Sequence, residues 1–306
     1  MGIGVDFGGT KIEAVYLTET GEERGRMRVP TPRGDYQGSV RAVTELVRAV
    51  EAAAGAAGAP VGVGIPGSIS PHTGFVRNGN ATWLFEHPFD LDLGAALGRP
   101  VRVTNDANCL VLSEALDGVA KGAKSVFGVI LGTGVGCGTV IDGRILEGYN
   151  GIGGEWGHIP LIATTPEELH GPRCFCGRHG CLEMWLSGPA LAQDFARALA
   201  QGEAPKSREI VELAEAGDPE ARAALDRHVQ RLARMLGMIV NIIDPEVIVL
   251  GGGLSNMEHL YTEVPAAMMP HVFADSAKIN LRKALHGDSS GVRGAARLWE
   301  QDYGFN

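Results

Sequence analysis

One piece of local grammar occurs twice in this chain and constrains its fold more than anything else in it. Ile3 to Phe7 reads as a short strand, Gly8-Gly9-Thr10-Lys11 as a turn, and Ile12 to Leu17 as a second strand. The same order returns at Val126, with an apolar run to Leu131, the turn Gly132-Thr133-Gly134-Val135-Gly136, and an extended run from Cys137 to Ile141. An internal repeat is the economical explanation. A Walker loop needs GxxxxGK[ST] opening a helix, and a dinucleotide fingerprint needs GxGxxG opening one; here each turn leads into a strand, so neither fits.

Between the two hairpins, Val40, Val43, Leu46, Val47 and Val50 recur at helical spacing and predict a helix over 36–54. Pro60 to Ile65 and Val101 to Thr104 are strand-like, and the second passes through Asn105-Asp106-Ala107-Asn108 into a helix ending near Leu116. Asp218 as N-cap with Pro219 after it opens a long helix that Asp244-Pro245 ends. Glu246 to Leu250 is a buried strand, and Gly251-Gly252-Gly253 turns the chain towards another helix. Alternating strands and helices give the α/β class. With 306 residues, 44% of them apolar, the chain is long enough for two lobes.

A formal charge of -9 and the absence of a basic patch exclude nucleic acid and anionic membranes as main partners. The first residues lack the zones of a signal peptide and no apolar run is long enough to cross a bilayer, so the expected location is cytoplasmic. Five cysteines in a reducing compartment then read as metal ligands or buried hydrophobes, not disulfides.

Phosphates need backbone N–H groups that can be approached closely, which glycine permits, and hydroxyls such as those of Thr10 and Thr133 add donors. Either turn alone is as well explained by an ordinary tight hairpin; the pair favours a clamp on one polyphosphate. Asp6, just before the first turn, is placed to hold a magnesium-bound water. Gly251-Gly252-Gly253 suits packing under a nucleotide, although a helix-start turn explains it equally. Asp106 is the candidate acid/base group, held ionised at a helix N-terminus, against the plainer reading of a capping aspartate.

His158 is followed, after fifteen residues, by Cys174-x-Cys176-x4-Cys181. One imidazole and three thiolates complete a closed tetrahedral zinc shell, the pattern of a structural site. The alternative, reduced core cysteines, fits poorly with the polar, glycine-rich CGRHGC; Cys109 and Cys137 lie in apolar stretches and read as packing. Glu155 and Glu183 flank this loop and, with Asn105 and Asp106, would supply the acceptors a sugar requires.

On these residues the chain resembles, end to end, the ROK family of bacterial sugar kinases and repressors. That family lies within the actin-like ATPase superfamily, which includes the hexokinases. The resemblance pairs the family's phosphate motifs with Asp6-Phe7-Gly8-Gly9-Thr10-Lys11 and with Gly132-Thr133-Gly134-Val135-Gly136. It pairs the catalytic aspartate with Asp106, the sugar-contacting glutamate and histidine with Glu155 and His158, the zinc cysteines with CFCGRHGC, the following glutamate with Glu183, and the adenosine-side motif with VIVLGGGLSN. Gly67 and Asn80 stand beside Asn105 as further sugar contacts.

The resemblance implies ATP-dependent phosphorylation of a hexose hydroxyl, with Asp106 as base, magnesium on the phosphates, structural zinc, and a homodimer. It also implies an active site in a cleft that closes on sugar. The implied fold is a two-lobed, ribonuclease H-like duplication of the actin type, with lobes at 1–117 plus 290–306 and at 118–289. Residues 64–84 and 286–299 look most like fructokinases of the manno(fructo)kinase type. N-acetylglucosamine kinase, glucokinase and mannokinase are the alternatives. Of other classes, a ROK repressor would need a DNA-binding domain ahead of Asp6, a nicotinamide oxidoreductase would need a helix after Gly8-Gly9, and a non-catalytic sugar-binding protein has no need of Asp106.

Overall fold

The computed structural model describes residues 1–199 and 204–301. In chain order the strands and helices are β1 (Gly2–Phe7), β2 (Lys11–Leu17), β3 (Glu23–Pro30), α1 (Tyr36–Ala54), β4 (Val61–Ile65), β5 (Ser68–Ile69), β6 (Val76–Arg77), α2 (Phe89–Leu97), β7 (Val101–Asn105) and α3 (Asp106–Leu116). There follow β8 (Ser125–Leu131), β9 (Val135–Ile141), β10 (Arg144–Ile145), α4 (Pro166–Leu169), α5 (Glu183–Leu186), α6 (Gly188–Ala198), α7 (Ser207–Glu215), α8 (Pro219–Ile243), β11 (Val247–Gly251), α9 (Leu260–Met268), β12 (Leu281–Lys283) and α10 (Ser290–Ala296).

Two five-stranded sheets have the orders β3-β2-β1-β4-β7 and β10-β9-β8-β11-β12. In the first, β1 runs antiparallel to β2 and parallel to β4, and β4 runs parallel to β7. In the second, β8 and β12 run parallel to β11. The hairpin, crossover and parallel strands thus follow one plan twice, which is the duplication the repeat predicts and the fold expected of the actin-like class.

By internal contacts the chain divides into one unit of 1–124, 138–154 and 285–306 and a second of 125–137 and 155–284. The expected boundary places 138–154 with the second. It goes with the first because Thr104 donates to Glu147 Oε1 at 2.8 Å and Arg77 donates to the Asn150 carbonyl, long-range bonds that no local pattern announces.

In the first unit α1 buries the predicted stripe of Val40, Val43, Leu46, Val47 and Val50, and Asp35 caps it by accepting from Gly38 N–H at 2.8 Å. The stripe joins Ile3, Val5, Val61 and Val63 in one core. β3 escapes the sequence pattern, since Arg24, Arg26 and Arg28 disguise it; Arg26 and Arg28 pair with the buried Glu13 of β2. The last helix, α10, packs on this unit backbone to backbone. A β-carbon on Gly4, Gly62 or Gly294 would collide with the carbonyl oxygens of Val292, Ala295 and Cys109 respectively. Buried Glu114 of α3 fixes the approach to this helix by accepting from Leu285 N–H (3.0 Å), His286 N–H (3.1 Å) and Ser290 Oγ (2.8 Å).

In the second unit α8 spans the predicted length, capped by Asp218 on Ala221 N–H at 2.8 Å and closed by Asp244 in the left-handed region. Leu225, Val229, Leu232, Leu236 and Ile239 face the second core. Among the described residues no helix is long and apolar enough to cross a membrane.

Candidate functional site

In the first unit the β1–β2 turn is closed by Gly8 N–H donating to the Lys11 carbonyl at 3.0 Å, with Thr10 exposed at its tip. Lys11 belongs to β2 and not to the turn, and its ammonium lies 4.0 Å from Glu13. Asp6 is half-buried opposite Glu13 in the β1–β2 register.

At the end of β7, Asn105 caps α3 by accepting from Ala107 N–H at 2.8 Å, which makes Asp106 the first helical residue and not the cap itself. Asp106 Oδ1 also accepts from Ala107 N–H, at 2.8 Å. Asn105 Nδ2 donates to the Gly67 carbonyl at 3.2 Å. Gly67 has φ +115°, and a β-carbon there would stand 2.5 Å from the Arg77 carbonyl oxygen, so no other residue fits this turn. Asn80 is exposed in the bend after β6. Burial pushes the Cys109 thiol well above its ordinary range, and the charges of Asp6, Asp106 and Glu147 add to the effect. Two of the expected functional carboxylates therefore act on one buried thiol, which remains packing, as the sequence suggests.

In the second unit the expected turn at Gly132 to Gly136 is shorter, because β9 already begins at Val135 and Gly136 lies within it. Glu183, expected as a sugar contact, accepts from Val135 N–H at 3.1 Å through Oε2. A β-carbon on Gly134 would collide with that oxygen. Glu155 and His158 begin and end a 3-10 turn in which Gly157 abuts the Val135 carbonyl so closely that a β-carbon would collide with it. Trp156 anchors the turn on Phe127 of β8, edge to face at 5.9 Å. Burial pushes the Cys137 thiol up to about 12, with Glu155 contributing.

His158, Cys174, Cys176 and Cys181 present one ligand atom each, all within 4.8 Å of one another. Cys174 Sγ lies 3.6 Å from His158 Nδ1 and Cys176 Sγ lies 3.6 Å from Cys181 Sγ. A tetrahedral shell with metal–sulfur bonds of about 2.3 Å has edges of about 3.8 Å, so the donors fit one ion. Nδ1 faces the thiols. The backbone prepares the site: Cys174 N–H bonds the Arg178 carbonyl at 2.8 Å and Gly177 N–H the Cys174 carbonyl at 3.0 Å.

Gly251 ends β11, Gly252 has φ +79° with a β-carbon position 2.6 Å from the Leu131 carbonyl oxygen, and Gly253 opens a 3-10 turn, with α9 following only from Leu260. This close approach brings the third glycine motif to the foot of the second. Gly132, Thr133 and Gly253 accordingly line one cavity of about 1200 Å³, together with Gly188, Pro189, Lys206 and His259. A cavity of that size accommodates a nucleotide. Its far wall, from α6, α7, α8 and the turn before α9, is not legible in the sequence, since these residues carry no motif.

Comparison with known proteins bears on the whole chain. The sequence model of the ROK family matches residues 2–302. The chain is 40% identical over 301 residues to an N-acetyl-D-glucosamine kinase of Haemophilus influenzae, covering 97% of this chain and 98% of that one. It is 40% identical to the Escherichia coli O1:K1 N-acetyl-D-glucosamine kinase, covering 96% and 98%. Among solved structures it superposes on a ROK hexokinase from Thermus thermophilus with TM-score 0.84 and 33% identity, over 96% of each chain. It superposes on a ROK glucokinase from Streptomyces griseus, in complex with glucose and AMPPNP, with TM-score 0.78 and 27% identity, over 97% and 98%.

Proposed function

The chain belongs to the ROK family and is an ATP-dependent sugar kinase, and on that premise we propose that its acceptor is N-acetyl-D-glucosamine. The observation that carries this choice is 40% identity, over nearly the full length of both chains, to kinases named for that sugar. Fructose is the expectation from residues 64–84 and 286–299. It gives way because the relatives at 40% identity are N-acetylglucosamine kinases and the similar structures are a hexokinase and a glucokinase.

In this reading Asp106 takes the proton of the attacking hydroxyl. It need not be strongly basic, because in most analyses the transferring phosphoryl group is largely metaphosphate-like and the proton leaves late. Asn105, pinned between Ala107 N–H and the Gly67 carbonyl, orients the sugar, with Asn80 beside it. Glu155 and Glu183 supply acceptors for its other hydroxyls, and His158, with Nδ1 turned to the thiols, offers Nε2–H as a donor. The turns at Gly8, Gly9, Thr10 and Lys11 and at Gly132, Thr133, Gly134 and Gly136 receive the phosphates through backbone N–H groups other than those of Gly8 and Gly132, which close the turns on the Lys11 and Gly134 carbonyls, and Gly251, Gly252 and Gly253 pack under the adenosine. Magnesium, bound with the nucleotide and reached through water from Asp6, would neutralise charge on the phosphates. The imidazole and three thiolates suit zinc in a structural role, tying the turn at His158 to the loop at Cys174 to Cys181. A cytoplasmic homodimer completes the proposal.

A coupled ADP-release assay against N-acetylglucosamine, N-acetylmannosamine, glucose, mannose and fructose tests the acceptor. The highest kcat/KM is expected for N-acetylglucosamine. A preference for fructose would restore the fructokinase expectation, and turnover of no sugar would remove the kinase reading.

A further inference from the structure

We propose that Glu183 is a positioning residue for the second glycine turn, through which sugar binding tightens nucleotide binding; the proposal rests on the kinase reading above. Val135 carries the argument. Its N–H donates to Glu183 Oε2 at 3.1 Å. Its carbonyl is roofed by Gly157, in the turn that holds Glu155 and His158, at a distance that admits no side chain. Both polar edges of this one residue are thus gripped by the two segments that carry the second unit's candidate sugar ligands.

Each grip is itself held. His158 directly follows Gly157, Cys181 lies two residues before Glu183, and Cys181 Sγ sits 3.6 Å from the His158 carbonyl oxygen. On the other side of the turn, Gly132 and Thr133 line the nucleotide-sized cavity.

One carboxylate oxygen of Glu183 fixes the turn, and the other accepts a sugar hydroxyl. A sugar so bound stops the carboxylate from rotating and orders the N–H groups that receive phosphate. The nucleotide then binds with less ordering left to do. By linkage the effect is reciprocal, so nucleotide tightens sugar by the same factor.

The test is calorimetric titration of the full chain with magnesium-AMPPNP, without and with saturating N-acetylglucosamine, in the wild type and in Glu183→Gln, Glu183→Asp and Glu183→Ala. The wild type is expected to bind AMPPNP about 10-fold more tightly with sugar present, a typical coupling. Glu183→Gln, whose amide oxygen still accepts from Val135 N–H, keeps most of that factor. Glu183→Asp, too short to reach, loses it while keeping the charge, and Glu183→Ala loses it as well.

Either of two results overturns the proposal: Glu183→Asp or Glu183→Ala retaining the wild-type factor, or the wild type phosphorylating sugar while showing no coupling. The Asp variant keeps the test open should the Ala variant fold poorly. Absence of any phosphorylated sugar is read in the separate ADP assay and brings down the kinase reading itself.

Discussion

Asn105 donates to the Gly67 carbonyl at 3.2 Å, and this bond ties the first turn of α3, where Asp106 sits, to the turn that follows β4. Asp106→Asn preserves the helix start and removes only the proton acceptor. It is expected to lower kcat by about 10²- to 10⁴-fold with little change in the KM for sugar. Asn105→Ala, which frees the turn, is expected to raise KM as well. Steady-state kinetics on the preferred sugar separate the two, and an Asp106→Asn enzyme with parental kcat would end the assignment.

Metal removal should be felt beyond the metal. Elemental analysis is expected to find about one zinc per chain, as a closed four-ligand site holds. Chelation, or Cys176→Ser, is expected to lower the melting temperature and weaken sugar binding together, because His158 stands in both groups of residues. Sugar affinity that survives complete loss of zinc would separate the two roles.

His228 is buried in α8, and burial lowers its pKa from 6.5 to about 4, even though its Nε2 lies 3.1 Å from the Leu186 carbonyl. The unfolded chain therefore binds a proton that the folded chain refuses. Stability is unaffected by this group above pH 6.5 and falls as pH drops from 6.5 towards 4, by up to about 3 kcal/mol. Denaturant midpoints measured across that window are expected to decline less steeply in His228→Gln. Parallel curves for the two proteins would exclude this source.

Glu114→Ala is expected to cost about 1–3 kcal/mol, since it leaves the N–H groups of Leu285 and His286 and the buried Ser290 hydroxyl without their acceptor. Glu114→Gln, which keeps an accepting oxygen, should cost less. Chemical denaturation of both variants checks the order.

Features written in short-range spacing are legible in the amino-acid sequence. The two glycine turns, the stripe of α1, the capped span of α8 and the four clustered ligands each depend on residues close in sequence or on a repeated period. What stays hidden depends on tertiary partners. β3 looks like a charged loop until Glu13 is placed beside Arg26 and Arg28. Glu183 reads only as a sugar ligand, and its second partner, Val135 N–H, is seen only in the fold. Residues 138–154 join the first unit through Glu147 and Asn150. The acceptor sugar is least legible of all. Phosphate chemistry is written in glycines at short spacing, whereas the surface facing C2 of a hexose is assembled from side chains far apart in the chain.

The glycine-to-helix contacts of Gly4 and Gly62 with α10 set an order of events at the ribosome. The first unit needs residues from 285 onward to cover the strands made at the very start, whereas the second ends at residue 284. The strands made first therefore wait with a bare sheet face through nearly the whole of synthesis, and the nascent chain is open to proteases and to chaperone capture until α10 emerges from the exit tunnel.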